Sequence, residues 1–399
     1  MPFRPFDRRR PLTFVNARVL RPDGGFGRTL RIARGVVVQL DGDPASHDAV
    51  IDLDDAVVLP GLINAHDHLE LNVFPRLRWR ERYTNVREWI ADFQPRFATD
   101  PALSAARPET LNDRLLVGAL KNLLSGVTTV CHHNPVYRPM CRRFPVRIVR
   151  KFGFSHSLQI DGPRARASYE QTPRGWPWII HAAEGTDEEA ARELPRLSSW
   201  GCVGPNTTLV HGVAIDAGSR RLAIEAGASL VWCPGSNAFL FGATADVVDF
   251  SRVGRLAIGT DSRLSGEADL LEELRAARRT GQLDLPCLVR AVTADAAAVL
   301  RLPQAGRLLP GAPADLTIVA PIRRDPFESL LAARRTDIRL TMIGGAPMVA
   351  DPALLPVFAA ARTKARHVRL DGCPRVLADP VVARVAALGV TEPGLEVPS

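Results

Sequence analysis

Short apolar segments alternate with helical stretches along the middle of this 399-residue chain, and this alternation constrains the fold more than any other feature. The apolar segments are GLINAH, GVTTVCH, PWIIHAAE, TTLVHG, ASLVWC and RLAIGTD, and the helical stretches include 110–124, 188–197, 218–226, 267–280 and 286–300. Strands that are apolar on both faces and separated by helices are typical of a parallel sheet with both faces covered. The pattern therefore predicts repeated βα units.

The two ends of the chain share a second sequence pattern, which consists of short β-type segments. Residues 11–59 contain LTFVNARVL, TLRIARGVVVQL and AVIDLDDAVVL, separated by glycine, proline and aspartate turns, and no helix is apparent there. GAPADLTIVAP and IRLTMIGGAPMVAD return to this pattern after residue 310. We expect the two ends to join in one small sheet. We expect the proline-broken tail from residue 352 to pack on the surface without a chemical role.

The composition sets bounds on the class of protein. With 46% hydrophobic and 24% charged residues, the chain can bury a large core and a smaller one, which suggests two domains. The net charge of +8 comes from scattered arginines, so we expect no nucleic-acid partner and no membrane partner. No apolar run reaches the roughly 18 residues of a membrane span. The six cysteines form no C-x-x-C pair and follow no apolar signal segment, which predicts reduced thiols in a cytoplasmic protein.

A pair of histidines ends the first apolar segment of the middle region, in LPGLINAHDHLELN (59–72). Residues i and i+2 of a strand point to the same side, so His66 and His68 would project together. An isolated H-x-H is a weak signal, and it also fits two polar loop residues. Further metal-competent side chains are needed to decide between these interpretations.

Three more such side chains occupy the same place in later strands. WIIH ends at His181, TLVH at His211 and LAIGTD at Asp261. The carboxyl ends of the strands of a (β/α) barrel meet at one face, where the active site lies. Five such residues at strand ends, in a chain with nine histidines, make chance placement a poor explanation. Imidazole and carboxylate ligands suit zinc or iron, and an open coordination position would hold a water.

Glu184 is a candidate proton carrier, because it follows His181 by three residues in HAAEG. Its carboxylate could turn back towards the strand end and reach the site. The alternative is a glutamate in the first turn of a helix, where the helix dipole favours a negative charge.

PGLINAHDH, HAAE, LVHG, CPGSN, IGTDS and GAPADLTIV occur in this order and resemble the amidohydrolase superfamily, specifically its cytosine deaminase-like, chlorohydrolase-like branch. The resemblance covers roughly residues 12–351. It implies an α/β fold, a distorted (β/α)8 TIM-type barrel with a small β-sandwich domain formed from both termini. The implied parts are residues 1–59 and 303–351 for the sandwich, 60–302 for the catalytic barrel and 352–399 for a C-terminal extension.

Carried over position by position, the resemblance implies one divalent metal ion, zinc in the first place and iron as the alternative, with the ligands His66, His68, His181 and Asp261. Glu184 matches the proton shuttle, His211 the histidine that polarises the substrate or the water, and Asp261 also the base. The implied function is attack of a metal-activated water on a non-peptide carbon–nitrogen bond of a small molecule. Deamination of an N-heterocycle or amidine is the first choice within that class.

Two other functions stay open. The same residues serve the hydrolysis of cyclic or linear amides in relatives, and a catalytically silent protein could use this fold for binding or as a scaffold. An intact set of polar groups aimed at one point speaks against the scaffold. A homo-oligomer is possible in each case.

Other residues have a less certain role, and the tentative substrate contacts among them are His156, His132 and Glu70. His132 could equally be a supporting or loop histidine, and Glu70 the partner of an arginine. Lys151 lies where binuclear relatives carry a bridging lysine, but the H-x-x-E motif of His181 and Glu184 favours a single metal. Asn237 is expected to shape the loop after the seventh strand. The aromatic residues that could line a pocket or simply pack in the core are Trp79, Trp89, Phe239 and Phe241.

The chain departs from the family pattern between His133 and His181. Fewer than fifty residues must supply two strands and two helices there, and much of the segment is rich in proline and glycine. We expect an irregular barrel in this region, with VRIVRKFGFSHSLQI forming one strand or two. Because substrate loops come from these units, the family's specificity residues cannot be carried over.

Overall fold

The computed structural model describes residues 10–106, 110–388 and 392–398. Residues 10–60 form strands and turns without a helix, as the turn-rich pattern predicted. These strands are β1 Leu12–Val15, β2 Arg18–Leu20, β3 Phe26–Gly27, β4 Leu30–Ala33, β5 Val36–Leu40, β6 Ala49–Asp52 and β7 Val57–Pro60. Four of them make a separate sheet in the order β5-β4-β1-β6.

The next eight strands make only parallel pairs, and they form the barrel. They are β8 Leu62–Asp67, β9 Val127–His132, β10 Arg147–Ile148, β11 Gly153–Ser157, β12 Trp178–Ala182, β13 Thr207–His211, β14 Ser229–Trp232 and β15 Leu256–Ile258. Their hydrogen bonds make two sheets, β10-β9-β8 and β11-β12-β13-β14-β15. A single parallel bridge between Asp67 and Asp261 joins the end of β8 to the residues after β15. The predicted distorted barrel is confirmed.

Helices surround these strands and start where polar residues cap them. They are α1 Val86–Arg96, α2 Pro101–Ala106, α3 Leu111–Leu124, α4 Leu158–Asp161, α5 Arg164–Gln171, α6 Glu188–Ser199, α7 Ala217–Glu225, α8 Pro234–Phe241, α9 Val248–Arg252, α10 Leu270–Arg279, α11 Leu285–Arg290 and α12 Ala294–Val299. The side chains of Thr110, Asp187 and Asp216 accept hydrogen bonds from the first turns of α3, α6 and α7. Four of the predicted helices match α3, α6, α7 and α10 closely.

The predicted helix at 286–300 is two helices, α11 and α12. The carbonyl of Ala291 accepts a hydrogen bond from the N–H of Ile258, and that of Val292 accepts one from Ile63, at 2.9 and 2.8 Å. These two carbonyls therefore pair with residues of β15 and β8 instead of continuing the helix.

The barrel is irregular between β9 and β12, as the short and proline-rich sequence predicted. β10 pairs with β9 and β11 pairs with β12, and only residues 149–152 join them, without a helix. A crossover between paired parallel strands needs about a dozen residues, and β10 and β11 accordingly do not pair with each other. VRIVRKFGFSHSLQI thus forms two strands and the start of α4.

The C-terminal strands and the N-terminal strands meet in one sheet, as expected. The C-terminal strands are β16 Leu316–Val319, β17 Ile338–Ile343, β18 Ala346–Ala350, β19 Ala365–Leu370, β20 Cys373–Ala378 and β21 Leu395–Glu396. The helices of this part are α13 Pro326–Ala332, α14 Leu355–Ala360 and α15 Asp379–Leu388. The strand order is β21-β19-β20-β18-β17-β16-β7-β2-β3, with β7 and β16 antiparallel at the junction.

The tail differs from the surface extension that the sequence suggested. β19 and β20 form a hairpin whose turn residues Asp371 and Gly372 both have positive φ, 49° and 78°, the type I′ geometry. β20 then pairs with β18, so the hairpin extends the nine-stranded sheet. The division of the chain into domains at the bounds given above stays a prediction. In the described parts of the chain no helix has the length and hydrophobicity that a membrane crossing requires.

Candidate active site

The four predicted metal ligands come together at the carboxyl ends of β8, β12 and β15. His66 lies near the end of β8 and His68 just after it, His181 is on β12, and Asp261 follows β15. His181 Nε2 lies 3.2 Å from His66 Nε2 and 3.4 Å from His68 Nε2. Asp261 Oδ1 lies 3.8 and 3.6 Å from the Nε2 atoms of His66 and His68. Two groups of these and neighbouring side chains could hold a metal ion, namely His66 with His68 and Asp261, and His66 with His181 and His211.

Two of these histidines are in the neutral state that binding of a metal cation requires. Burial, together with the charges of neighbouring histidines, lowers the pKa of His68 and His181 well below the ordinary value, so both rings are neutral. His181 donates its Nδ1–H to the carbonyl of His156 at 2.7 Å, which leaves Nε2 with a free lone pair. Two nitrogens bound to one tetrahedral zinc ion at about 2.0–2.1 Å lie about 3.3 Å apart, which agrees with the spacings seen here. The donor set therefore fits a first-row divalent ion.

The carboxylate of Asp261 is held by two hydroxyl groups. Its Oδ2 accepts hydrogen bonds from Ser236 Oγ at 2.8 Å and from Ser265 Oγ at 2.6 Å, while Oδ1 faces the histidines. Burial opposes ionisation of this group, but the nearby imidazoles of His66, His68 and His211 outweigh it and lower the pKa of Asp261 below its usual range. The group is therefore an oriented carboxylate.

Glu184 and His211 form a second pair beside the ligands. The Nδ1–H of His211 donates to Asn237 Oδ1 at 2.9 Å, and burial lowers the pKa of His211 to about 4, so its Nε2 carries a lone pair. Glu184 Oε1 lies 3.4 Å from this nitrogen. Burial, followed by the charges of Asp261 and Glu193, raises the pKa of Glu184 well above its ordinary value. In its protonated form, which burial favours, Glu184 is placed to donate a hydrogen bond to His211.

Three residues at these strand ends have backbone strain. Ala183, His211 and Asp261 have φ values of 52°, 73° and 57°, in the left-handed region that residues with a Cβ rarely adopt. Strain of this kind persists where the surrounding structure fixes it, and it is often found at functional sites. The three residues follow or end β12, β13 and β15, the strands that carry the ligands and His211.

A buried polar network below the histidine pair was missed by the sequence analysis. Asp67, between the two histidines, accepts hydrogen bonds from Asn122 Nδ2 at 2.7 Å and Lys121 Nζ at 3.3 Å. Lys121 also donates to Asn72 Oδ1 at 2.7 Å and to Thr260 Oγ1 at 2.9 Å. A lysine within the apolar run LLVGALKNLL of α3 was the signal that could have revealed it.

A cavity of about 250 Å³ opens over the ligands. Apolar side chains of α1 line one wall, and the rings of Trp89 and Phe93 stack at 5.1 Å with an interplanar angle of 9°. Glu184, His211, Asp261 and two of the proposed histidine ligands, His68 and His181, also line it. Among the described residues that line the cavity, none is lysine or arginine. The shape and polarity suit a small, uncharged, planar molecule.

The tentative substrate contacts divide into two groups. His156 lines the cavity, and its carbonyl holds His181. Glu70 and His132 are not among the cavity's lining residues. Glu70 Oε1 accepts a hydrogen bond of 2.6 Å from Asn134, which does line the cavity, and Glu70 Oε2 lies 3.6 Å from His132 Nδ1. Glu70 and His132 therefore lie behind Asn134.

The remaining candidates are also placed by the structure. Of the four aromatic residues, only Trp89 is among the described residues that line the cavity. Phe239 lies under the guanidinium groups of Arg76 and Arg78, and the Trp79 ring lies 6.4 Å from that of Phe93. Lys151 is exposed, away from the ligand cluster. Asn237 belongs to α8 and holds His211 as well as shaping the chain after the seventh strand.

Known proteins are similar to this chain in sequence and in fold. Residues 176–348 match the model of the amidohydrolase family. A 5-methylthioadenosine/S-adenosylhomocysteine deaminase of Natronomonas pharaonis is 27% identical over 78% of this chain and 85% of its own. An 8-oxoguanine deaminase of Pseudomonas aeruginosa is 28% identical over 87% of this chain and 94% of its own.

Solved structures agree with this assignment at the level of the fold. An adenosine deaminase from Xanthomonas campestris with bound zinc superposes with a TM-score of 0.69 and 21% identity, over 88% of this chain and 97% of that one. The atrazine chlorohydrolase TrzN from Arthrobacter aurescens, complexed with zinc, gives a TM-score of 0.71 and 17% identity, over 88% and 99%. Over residues 176–348 the chain is similar to the amidohydrolase family, and over most of its length it shares its fold with a zinc-bound deaminase and a zinc-bound chlorohydrolase.

Proposed function

We propose that this protein is a metal-dependent hydrolase that removes an amino group from a small, neutral, planar N-heterocycle. The observation that carries the proposal is the pair Glu184 and His211, a carboxyl of raised pKa 3.4 Å from a neutral imidazole, in the lining of a cavity that also contains proposed ligands. Both curated relatives described above are named as deaminases, which supports this choice within the family.

His66, His68, His181 and Asp261 would hold one divalent ion. Zinc is the proposed metal because the two solved relatives described above contain it, and iron is the alternative. When bound, the ion would supply hydrolytic water in a reactive, deprotonated form near neutral pH. An exposed Lys151 gives no bridging ligand for a second ion, which supports a single metal.

The protein's own groups supply the proton transfers. Asp261 is ionised and oriented by Ser236 and Ser265, so it can take up a proton on the side that faces the ligands. Burial raises the pKa of Glu184, which favours its protonated form, and from that form it can pass a proton to the ring nitrogen or the departing amine. Two carboxyl groups whose environments move their pKa values in opposite directions form an acid and base pair.

His211 keeps the acid in place. Its Nδ1–H is fixed by Asn237, so the lone pair on Nε2 is directed at Glu184 Oε1 and can accept a hydrogen bond from the protonated carboxyl. The neutral state of His211 matters, because a charged imidazolium at this distance would favour ionisation of Glu184 and remove the proton it must donate.

The cavity limits the substrate. Its volume of about 250 Å³ lies below the range of about 300–1,000 Å³ typical of sites for drug-sized ligands. The stacked rings of Trp89 and Phe93 offer a flat apolar wall. Since no cationic side chain is among the described lining residues, a phosphate or carboxylate on the substrate would lack a protein partner. These features support an uncharged ring of about the size of a nucleobase.

Substitution of Glu184 tests the proposal. Purified zinc-loaded protein would be screened with amino-substituted heterocycles and small amides for release of ammonia or amine. In Glu184→Gln we expect kcat to fall by about 10²- to 10⁴-fold, since a positioned proton carrier contributes that much, while the zinc content stays stoichiometric. The control is Glu188→Gln, an exposed residue that starts α6 and pairs with Arg192.

The outcomes separate the possible functions. A Glu184→Gln variant as active as the parent would refute the proton-carrier role. Turnover of amides without ammonia from any heterocycle would favour the amide hydrolase. Absence of turnover, together with a fold indifferent to metal removal, would favour the scaffold.

We also propose a cytoplasmic location and a small-molecule substrate, with no nucleic-acid partner and no membrane partner. All six cysteines are free thiols, as expected for a protein kept in a reducing compartment. A homo-oligomer stays possible, and sedimentation would measure it.

A further inference from the structure

A buried carboxylate of the C-terminal tail lies against the loop that carries Asp261. The side chain of Glu392 has no exposed area. Arg263 donates Nη1–H to its Oε2 at 2.9 Å and Nη2–H to its Oε1 at 2.5 Å, which is a bidentate ion pair across 129 residues of sequence. Arg335 adds a third hydrogen bond, from Nη1 to Oε1, at 2.9 Å. A carboxylate so fully paired in a buried place has a defined position.

Arg263 connects this carboxylate to the proposed metal site. It lies two residues after Asp261, and its Nε–H donates to the carbonyl of Ala268 at 2.8 Å, so one guanidinium spans the loop 261–268. Its backbone N–H donates to Asn72 Oδ1 at 3.0 Å. Asn72 in turn donates to the carbonyl of His68 at 3.2 Å. The contacts thus run from the tail to both metal-ligand segments.

The loop 261–268 both orients the carboxylate of Asp261 and lines the substrate cavity. Ser265 donates to Asp261 Oδ2 at 2.6 Å and fixes which oxygen of that carboxylate faces the histidines. Ser262 and Ser265 also line the substrate cavity. A shift of this loop would therefore change both the ligand geometry and the cavity.

The tail itself is attached to the small sheet. β21 pairs with β19, and Asp371 N–H donates to the carbonyl of Gly394 at 2.8 Å. Arg335 holds Asp371 through two hydrogen bonds, at 2.5 and 3.1 Å, and also binds the carbonyl of Pro393 at 3.0 Å. Because Arg335 has Asp371 as a second acidic partner, loss of Glu392 would leave it paired. Arg263 has no other carboxylate in an ion pair within the described parts of the chain.

We infer that Glu392 is a positioning residue of the active site: through Arg263 the tail holds the loop 261–268, and with it the orientation of the Asp261 carboxylate. The inference rests on the proposed metal site for its catalytic meaning. It gives the tail a role in the chemistry, in contrast to the surface packing suggested by its sequence.

The test compares Glu392→Gln with Glu396→Gln in the full chain. Glu396 lies in the same strand β21, but it is exposed and pairs with Arg369 at 3.8 Å. Hydrogen exchange measured by mass spectrometry on the metal-free protein reports the loop, and competition with a chelator reports zinc affinity. For Glu392→Gln we expect faster exchange in 261–268 and zinc binding weaker by about 10- to 100-fold, the usual effect of losing a group that orients a ligand. We expect kcat to fall more than KM changes, and Glu396→Gln to match the parent in all three.

A double variant protects the test against misfolding. Arg263→Met with Glu392→Leu removes both charges, so no unpaired guanidinium stays buried. If Arg263 and Glu392 act as a unit, the double variant should bind zinc no more weakly than Glu392→Leu alone. The losses of zinc affinity in Arg263→Met and in Glu392→Leu should then not add in the double variant.

A merely structural role gives a different result. If Glu392→Gln lowers the melting temperature but leaves exchange in 261–268 and zinc affinity as in the parent, the inference is overturned. If the parent releases no ammonia from any heterocycle while Glu392→Gln still speeds exchange in 261–268 and weakens zinc binding, the positioning role is supported and the proposed function fails.

Discussion

Single hydrogen bonds decide which nitrogen of each active-site imidazole carries a proton. His181 donates Nδ1–H to a backbone carbonyl, and His211 donates Nδ1–H to the amide oxygen of Asn237. In both rings the Nε2 lone pair is directed into the site. The acceptor of His181 is a backbone carbonyl, which a substitution cannot remove. The acceptor of His211 is the side chain of Asn237, so its contribution can be tested by substitution.

Asn237 provides the residue-scale prediction. Asn237→Leu removes the acceptor with little change of volume, so His211 loses the partner that fixes its tautomer, and we expect kcat to fall by about 10- to 100-fold. Zinc content should stay stoichiometric, because His211 is not among the proposed ligands. Asn237→Asp keeps an oxygen for Nδ1–H and should be the less damaged of the two. Steady-state rates with metal analysis measure both, and a Leu variant with parental kcat would contradict the role.

Some residues of the site were predictable and others were not, for a physical reason. Histidine and aspartate at the ends of apolar strands are unusual enough to stand out, so His66, His181 and Asp261 could be named from the sequence. Serine and asparagine occur in every loop, and nothing in CPGSNAF distinguishes Ser236, which holds Asp261, from a turn residue. The side on which Glu70 lies depends on the turn after β8, which a short pattern does not determine.

At the scale of elements, helix α3 supports the histidine pair from outside the barrel. Gly118, Lys121 and Asn122 lie on one face of α3 because they are three and four residues apart. A Cβ at Gly118 would lie 2.3 Å from the carbonyl oxygen of Leu69, so only glycine allows this close approach to the residue after His68. Lys121 and Asn122 reach past it to Asp67. The helix therefore holds the residue between the two histidines and the residue that follows them.

Two lysines allow a matched test of this helix. Lys121 is fully buried, and burial lowers its pKa while Asp67 opposes that shift. Lys121→Met would leave Asp67 as a buried charge without its cation, and we expect the free energy of unfolding to fall by about 3–5 kcal/mol. Lys151→Met at the exposed position should change it by less than about 0.5 kcal/mol. Urea unfolding measures both, and equal stabilities for the two variants would refute the role of Lys121.

The elements themselves were predictable where their pattern is long. α3, α6 and α10 carry helical patterns of three turns or more, and their positions matched closely. The hairpin β19-β20 had a signal that was not used, an Asp-Gly turn between HVRL and CPRV, and this pair is the usual sequence of a type I′ turn. The sequence predicted one helix where the structure has α11 and α12. Hydrogen bonds to distant strands impose the break at 291–293, and a local sequence pattern carries no information about such bonds.

An electrostatic prediction belongs to the small four-stranded sheet. Asp48 accepts hydrogen bonds from Arg31 and Thr13, and the Arg31 hydrogen bond, the largest cause, lowers the pKa of Asp48 to about 2. A carboxyl whose folded pKa is below its unfolded value of about 3.9 stabilises the fold above that value, and the contribution is lost as pH falls towards 2. We expect Asp48→Asn to be less stable than the parent at pH 6, with the difference shrinking between pH 4 and 2. A difference that is constant over this range would show that the charge is not responsible.

At the scale of the whole molecule, the proposed ligands lie on both halves of the barrel. His66 lies in the three-stranded sheet and His68 follows it, whereas His181 lies in the five-stranded sheet and Asp261 follows it. The two sheets share one β-bridge, at Asp67 and Asp261, and β10 does not pair with β11 on the other side. An ion bound by all four residues would therefore join two sheets that the backbone joins weakly.

Metal removal tests this arrangement. An ion that binds only the folded protein stabilises it by about 2.7 kcal/mol when its free concentration is 100 times the dissociation constant. We expect a strong chelator to lower the melting temperature and to speed hydrogen exchange first at β8, the strand at the weak junction. His66→Ala, which loses a proposed ligand, should show no further change when the chelator is added. If the parent loses stoichiometric metal and keeps both its melting temperature and its exchange pattern at β8, the ion does not join the two sheets, because such a link cannot be removed without an energetic effect.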